Sequence, residues 1–121
     1  MMESGTYYIG DLCYVMTDEE WTQFCNITIK GNEVLDGEFA LPDGRKFATY
    51  GTSIGDGVYY DQYGYSYSVD AGLIGCIKTK DIRAEKYENL LDLGAIMTFE
   101  NSFVTSEHEG QIQFGHVLIE T

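Results

Sequence analysis

The stretch EFALPDGRKFATY, residues 38–50, decides the fold class of this chain. A Pro-Asp-Gly triplet at 42–44 is typical of a tight turn, and it separates two short runs of apolar residues. Because alternate side chains of a strand point to opposite faces, Phe39 and Leu41 share one face of the first run. The stretch therefore predicts a β-hairpin.

The flanking residues continue the same pattern. From 34 to 69 we expect a meander, with a second hairpin where Asp56 and Gly57 precede the run Val58-Tyr59-Tyr60. The 14 glycines and 10 tyrosines favour many short strands joined by tight turns. Further strands are expected at residues 6–9 and 73–78, and at 96–105 and 111–120, which form a closing antiparallel hairpin around the polar residues 106–110.

A short helix is predicted near the N-terminus. Thr17 and Glu20 have the spacing of a capping box, so the helix should begin at Asp18. Met16 and Trp21 hold the two positions of a hydrophobic staple, one before the helix and one inside its first turns. These local signals place the helix start within a residue.

A second helix is predicted from about residue 80 to residue 93. Tyr87, Leu90 and Leu91 recur at helical spacing, and Gly94 stands where a glycine would end the helix. Together these elements predict an α+β protein made mainly of antiparallel β-sheet, in meanders and hairpins, with one or two short helices.

Length and charge limit the classes of function. The 121 residues fit a single domain spanning 1–121. Twenty acidic residues against seven basic ones leave a formal net charge of -13, which opposes binding to nucleic-acid phosphates and anionic lipids. We therefore expect no direct nucleic-acid contact and no membrane contact.

Cysteine usage and the first residues favour the cytoplasm. Cys13, Cys25 and Cys76 are odd in number and contain no Cys-x-x-Cys pair, so neither a disulfide framework nor a four-cysteine zinc site is expected. The first ten residues carry no basic segment, and no apolar run has the length of a signal sequence or a membrane span. We expect a cytoplasmic protein with reduced thiols, no metal and no cofactor.

Tyrosines are concentrated in the middle of the chain, at Tyr59, Tyr60, Tyr63, Tyr65 and Tyr67. Tyrosine has a large apolar ring and a polar tip, so such a group can fill a small core or form a recognition surface. Tyr63, Tyr65 and Tyr67 share one strand face, while the opposite face carries serines, which are poor core residues. This pattern favours burial of the shared tyrosine face, and exposure for recognition is the alternative.

Three aspartates supply a candidate ligand pocket. Asp11, Asp56 and Asp70 each lie at an expected turn, where binding residues are often found. If these turns converge in space, they line a pocket together with Cys13, Tyr59, Tyr63 and Tyr65. The alternative is that turns simply require aspartate and glycine. The glycine-rich loop 51–57 lacks the ending of a phosphate-binding P-loop, so we interpret it as turn sequence.

A thiol enzyme is a further hypothesis. Cys13, His116 and Asp70 are the residue types of a thiol-imidazole-carboxylate arrangement, in which the imidazole lowers the thiol pKa and the carboxylate orients the ring. His108 and Asp11 are the other candidates for the imidazole and the carboxylate. Nothing in the spacing requires these groups to meet, so a buried structural cysteine is the alternative.

The acidic residues are spread along the chain, but the basic ones are not. No Lys or Arg occurs before Lys30 or after Lys86, so at least one face must be strongly negative. Glu107 and Glu109 are the candidate contacts to a protein partner with a basic surface. Solubility alone is the alternative explanation of this charge.

One basic cluster alternates with acidic residues on the second predicted helix. It is expected to form a salt-bridged helix surface rather than an anion site, because Asp81 and Glu85 lie between its members, Lys78, Lys80, Arg83 and Lys86.

Three segments carry a resemblance to known proteins: YIGDLCYV at 8–15, YGT followed by GDGVY within 50–59, and VDAGLIGCI at 69–77. Together they resemble a loosely defined group of small hypothetical proteins from bacteriophages and bacteria, in which the opening usually reads Gly-Asp-Pro-Cys-Tyr. Here that opening is Gly10-Asp11-Leu12-Cys13-Tyr14, with leucine in place of proline. The resemblance implies a phage accessory protein, and small phage proteins often bind host factors, including those of host defence.

The leading hypothesis is therefore a small acidic, non-enzymatic binding or inhibitor protein of phage type. It would act on a host protein, by charge mimicry of nucleic acid or in counter-defence. The first alternative is a protein that binds or sequesters a nucleotide-like small molecule, and the second is a small enzyme that depends on Cys13 or on aspartate. A homo-oligomer is also expected to be accessible, because the spare apolar face of a small sheet can be buried against a copy of itself.

Overall fold

Two antiparallel sheets form most of the molecule, and the computed structural model describes all residues from 1 to 121. Its strands are β1 (Gly5–Gly10), β2 (Ile29–Lys30), β3 (Glu33–Val34), β4 (Gly37–Ala40), β5 (Lys46–Gly51), β6 (Gly57–Asp61), β7 (Ser66–Val69), β8 (Leu73–Lys78), β9 (Ala95–Phe99), β10 (Thr105–His108), β11 (Gln111–Phe114) and β12 (Val117–Glu120). The single α-helix is α1 (Asp18–Thr28), and short 3-10 turns lie at Leu12–Tyr14, Thr79–Asp81 and Ala84–Asn89. The predicted α+β class, dominated by antiparallel sheet, is confirmed.

The first sheet is the middle layer of the molecule. Its order is β4-β5-β8-β1-β9, and the second sheet has the order β10-β11-β12-β6-β7. One face of the first sheet packs on the second sheet through Tyr7 and Ile9, while Tyr8 of the same strand points into a separate core with Phe24 of α1. Because both faces of its central strands are buried, the middle residues of these strands are mostly apolar on both faces, as in a covered sheet.

Helix α1 begins at Asp18, as predicted. The Thr17 hydroxyl accepts a hydrogen bond from the Glu20 amide at 3.2 Å, and the Glu20 carboxylate accepts one from the Thr17 amide at 2.9 Å. This pairing is the full capping box. Glu20 is 6% exposed, and its carboxylate also forms an ion pair with the Arg45 guanidinium. This ion pair holds the start of the helix against the turn between β4 and β5.

The hairpin of residues 38–50 is confirmed, but the meander around it is wrong. β4 pairs with β5 through Phe39 and Phe47, and β6 pairs with β7 in a second hairpin. β5 and β6 do not pair, because β5 is bonded to β8 in the first sheet and β6 to β12 in the second. β5 is buried on both faces and lies inside its sheet, so it needs a hydrogen-bonded neighbour on each side. One neighbour is β4, and the other is β8, which comes later in the chain.

The closing hairpin also differs from its prediction. Ala95–Phe99 pairs with β1 in the first sheet, whereas β10, β11 and β12 form a three-stranded meander in the second. The chain changes sheets after Phe99, where the ring of Phe99 stacks on that of Phe103 at 3.8 Å between centroids. Both rings are buried between the sheets, so the crossing contributes to the core.

The second predicted helix is not one continuous α-helix over 80–93; the segment forms the short 3-10 helices Thr79–Asp81 and Ala84–Asn89. A helix gains most of its stability by burying an apolar face, and here Tyr87 and Leu91 remain exposed. Gly94 does not end a helix. A Cβ at this position would clash with the carbonyl oxygen of Ile9, so glycine is required by close backbone packing.

The cysteines and the lengths of the helices are two further features of the fold. The thiols of Cys13, Cys25 and Cys76 are free, in agreement with the predicted lack of disulfides. The helices are all too short or too polar to cross a bilayer.

Candidate functional site

Asp11 is the most enclosed of the predicted ligand-binding residues, and its carboxylate is fully occupied by backbone. Oδ1 accepts from the Cys13 amide at 3.0 Å, and Oδ2 accepts from the amides of Asp70 and Ala71 at 2.8 and 2.6 Å. The side chain is 0% exposed. Asp11 therefore connects the segment after β1 to the turn between β7 and β8. Because its side chain is buried, the carboxylate is not accessible to a ligand from solvent.

Two of the three glycine-aspartate turns meet, because the Asp11 carboxylate accepts from the amides of Asp70 and Ala71. Burial raises the pKa of the Tyr14 phenol, and the nearby Cys13, Asp70, Asp11 and Asp56 raise it further. Asp56 and Asp70 are exposed, whereas Asp11 is buried. No cluster of acidic, histidine and cysteine side chains has the geometry of a metal site.

Five clefts on the surface have volumes of about 310 to 490 Å³. None of these five is lined by any predicted ligand-binding residue, that is by Asp11, Asp56, Tyr59, Tyr63, Tyr65 or Asp70.

The predicted thiol-imidazole arrangement is not assembled. Burial and the Asp11 carboxylate raise the pKa of the Cys13 thiol, which is the reverse of what a nucleophile requires. His116 instead lies beside Phe99 and Tyr63, with ring centroids 5.5 and 6.1 Å away. His108 is exposed at the end of β10, beside Glu109. Neither imidazole hydrogen-bonds to Cys13, whose partners are all acidic or backbone groups.

The tyrosine group is divided between core and surface. Tyr67 and Tyr59 are buried between the sheets, and the Tyr59 hydroxyl donates to the Gly55 carbonyl at 2.6 Å. Tyr60, Tyr63 and Tyr65 are exposed, each by more than half. The predicted burial of a face shared by Tyr63, Tyr65 and Tyr67 is therefore wrong for the first two, because both precede β7 and lie in the turn that joins it to β6.

Asp61 organises this turn, a role that the sequence interpretation missed. Its Oδ1 accepts from the amides of Tyr63 and Tyr65 at 2.8 and 3.1 Å, and its Oδ2 accepts from the Tyr67 hydroxyl at 2.7 Å. The residue is only 7% exposed. An aspartate that bonds the amide two positions ahead is a known turn signal, so Asp61 was detectable from its place before Gln62-Tyr63-Gly64.

Three exposed tyrosines belong to the second sheet: Tyr60 on the outer face of β6, and Tyr63 and Tyr65 in the β6–β7 turn. We call the outer face of this sheet, together with that turn, the tyrosine face. The outward strand residues of β6, β7, β11 and β12 are Val58, Tyr60, Ser66, Ser68, Gln111, Gln113, Leu118 and Glu120. Tyr60 lies opposite Glu120 on one side and Ser66 on the other.

The second sheet contains no Lys or Arg, although the chain has seven. Its carboxylates are Asp61, Glu107 and Glu120, with Glu109 in the turn after β10. Glu107 accepts a hydrogen bond from the Gly110 amide at 2.8 Å, and the Glu109 side chain is 86% exposed. The two predicted partner-binding glutamates thus lie at the tip of one hairpin of this sheet.

The cations lie on the first sheet and its connections, and their pairing differs from the predicted one. Lys78 pairs with Glu3 at 3.2 Å and Arg83 with Glu20 at 3.7 Å, while Lys80 and Lys86 form no ion pair. The interleaved Asp81 and Glu85 do not pair with them, because the segment is not helical and does not bring residues four apart together.

No known protein family, no curated protein and no solved structure matches this chain at a significant level.

Proposed function

We propose that this chain is a non-enzymatic binding protein that holds a basic surface of a partner protein against its tyrosine face. The observation that carries the proposal is the exposure of Tyr60, Tyr63 and Tyr65 on a sheet that has no Lys or Arg. Tyrosine is enriched at protein interfaces because its ring buries a large area at low entropic cost.

The turn that presents two of these tyrosines is fixed in advance. The Asp61 carboxylate holds the amides of both Tyr63 and Tyr65 and is itself buried. A surface that is ordered before binding loses less conformational entropy on association. This rigidity favours recognition over a role as a loose loop tip.

The polar composition of the tyrosine face also supports recognition of a protein. Most outward strand residues of this face are serine, glutamine or apolar, and Glu120, which lies opposite Tyr60, is the one carboxylate among them. Centres of interfaces are depleted of charge, while charges at the margin steer the approach of a partner. Glu107 and Glu109 at the hairpin tip would supply such a negative margin.

A host protein is the partner we propose, because three segments of the chain resemble small phage proteins. A basic host surface that normally contacts nucleic acid would suit a chain with a net charge of -13. Binding there would block the surface without any chemical step, as expected of an inhibitor or counter-defence protein.

The test is capture of partners from bacterial lysate by the wild-type chain and by matched variants. Tyr60→Ser with Tyr63→Ser removes two rings of the tyrosine face, and Tyr87→Ser removes an exposed ring on the other side of the molecule. A hot-spot tyrosine contributes about 1–2 kcal/mol, so the double variant should bind a captured protein at least about tenfold more weakly, whereas Tyr87→Ser should not.

Salt and charge reversal test the electrostatic part separately. Glu107→Lys with Glu109→Lys should slow association and make it less dependent on salt, and Glu85→Lys with Glu88→Lys is the control on the first-sheet side. A partner that binds the tyrosine double variant and the wild-type chain equally well would refute the proposal.

A further inference from the structure

The cations of this acidic protein gather at one end of the first sheet. β5 and β8 are neighbours, and Phe47 lies opposite Ile77, so Lys46 at the start of β5 comes beside Lys78 at the end of β8. Lys80 follows in the next turn, and Arg45 precedes β5. The pair Arg45 and Lys46 is 32 or more positions away from Lys78 and Lys80 in sequence, and the pairing of the two strands brings the two pairs together.

A carboxylate of the chain itself already occupies part of this cluster. Glu3 lies 3.6 Å from the Lys46 ammonium and 3.2 Å from that of Lys78, in a cleft of about 310 Å³. Asp43 and Asp81 also line this cleft, and Asp43 is paired with Arg45. The two lysines lower the pKa of Glu3. Glu3 is 61% exposed, so an external anion can reach the position that its carboxylate now fills.

An adjoining cleft shares Lys78 and Lys80 and contains no carboxylate. Its volume is about 340 Å³, and its lining is completed by small and hydroxylated residues, Ser4, Gly5, Thr6 and Thr79. Lys80 forms no ion pair, so its ammonium is available. Ammonium groups and hydroxyls are both donors that phosphate oxygens accept.

Arg45 does not take part in the same way. Its guanidinium is held by the Glu20 and Asp43 carboxylates and donates to the Asp81 carbonyl at 2.9 Å. Its donors are therefore committed to the fold. Any added anion would be bound by the lysines, which act as point charges and do not require a planar partner.

We propose that these two clefts form one binding site for a small molecule with two adjacent anionic groups, of which diphosphate is the simplest example. One group would replace the Glu3 carboxylate between Lys46 and Lys78, and the second would lie in the acid-free cleft on Lys80. Two clefts of about 310 and 340 Å³ suit a small ligand rather than a polymer. This site is separate from the tyrosine face and does not depend on the proposed function.

The experiment is calorimetric titration of the purified chain with inorganic diphosphate at fixed ionic strength. Saturable binding is expected for the wild-type chain. Lys80→Gln should weaken it about tenfold or more, because it removes a charged hydrogen-bond donor to the second anionic group. Glu3→Gln should tighten it by a few-fold, because it removes a competing exposed carboxylate.

Matched controls separate a built site from general electrostatics. Lys30→Gln and Lys86→Gln remove the same charge outside both clefts, and Glu33→Gln removes an exposed carboxylate elsewhere. All three should leave the affinity within about twofold, as exposed charges at a distance are screened. Absence of saturable binding, or equal effects of Lys80→Gln and Lys30→Gln, would overturn the proposal.

Discussion

The Asp11 carboxylate accepts a hydrogen bond from the backbone amide of Asp70, 59 residues away in the sequence, at 2.8 Å. The same oxygen also accepts from Ala71, and the other oxygen accepts from Cys13. A residue that would be interpreted as an active-site carboxylate from its sequence context is therefore a buried connection between two turns. The functional surfaces proposed for this chain lie elsewhere.

Asp11→Asn should destabilise the fold by about 2–4 kcal/mol. The amide group can replace only one of the two oxygens, so at least one buried backbone amide loses its acceptor. The free energy of unfolding in urea measures this loss. Asp56→Asn, at an exposed position on a neighbouring turn, is the control and should change it by less than about 0.5 kcal/mol.

The Glu20–Arg45 ion pair should be strongly coupled. Both side chains are largely buried, at 7% and 14% exposure, so removal of one charge leaves the other without its partner. We expect about 2–4 kcal/mol of destabilisation for Glu20→Gln, which retains a residue able to complete the capping box. Glu20→Ala should cost about 1 kcal/mol more, because the cap is also lost.

A double-mutant cycle with Arg45→Gln checks this coupling. The interaction energy between the two positions should be about 1–3 kcal/mol, as for residues in one network. Additive effects of the two substitutions, measured by urea unfolding, would show that the pair is not coupled.

The buried and exposed tyrosines should respond differently to substitution. Tyr67→Phe removes the hydroxyl that donates to the buried Asp61 carboxylate, and should cost about 1–3 kcal/mol. Tyr65→Ser removes a ring that is 57% exposed and should cost less than about 0.5 kcal/mol. Thermal unfolding of both variants gives the comparison. Similar losses of stability for the two variants would mean that the Tyr65 ring is part of the core.

Stability should decline at alkaline pH. Burial raises the pKa of Tyr8 and Tyr67 in the folded state, and also that of the Cys76 thiol. A group whose folded pKa exceeds its unfolded value stabilises the fold fully below the unfolded pKa and loses this effect as the pH rises. With unfolded values of about 8.5 for cysteine and about 10 for tyrosine, the loss should begin near pH 8.5 and steepen above pH 10.

Urea midpoints at pH 7, 9 and 10.5 measure this decline. Absorbance of tyrosinate from the buried rings should appear together with unfolding, since the folded state disfavours their ionisation. A midpoint that stays constant across these pH values would contradict the assignment of buried, protonated tyrosines and thiols.

The parts of the fold that could be predicted depend on residues close together in the chain. The start of α1 follows from Thr17 and Glu20, which are three positions apart and satisfy each other's backbone amides. The β4–β5 hairpin follows from its Pro-Asp-Gly turn. In both cases the stabilising contacts lie within one short segment, so the sequence pattern contains the whole cause.

The predictions that failed depend on which distant segments pack together. The segment 80–93 has apolar residues at helical spacing, but Tyr87 and Leu91 remain exposed and are not buried by any other part of the chain. Without that burial the segment does not form the predicted α-helix. Residues 96–99 have a strand pattern, but their partner is β1 rather than the following strand. A pattern of apolar residues indicates that a face exists and does not specify what covers it.

By itself, the sequence determined the class of fold, the start of the helix, the tight turns and the excess of negative charge, because each rests on local geometry or on composition. Only the tertiary structure decided that Asp11 is a structural acceptor, that Tyr67 is buried while Tyr63 and Tyr65 are exposed, and that Lys46, Lys78 and Lys80 share one end of a sheet. Those outcomes follow from strand pairing and layer packing, which join residues that are remote in the chain.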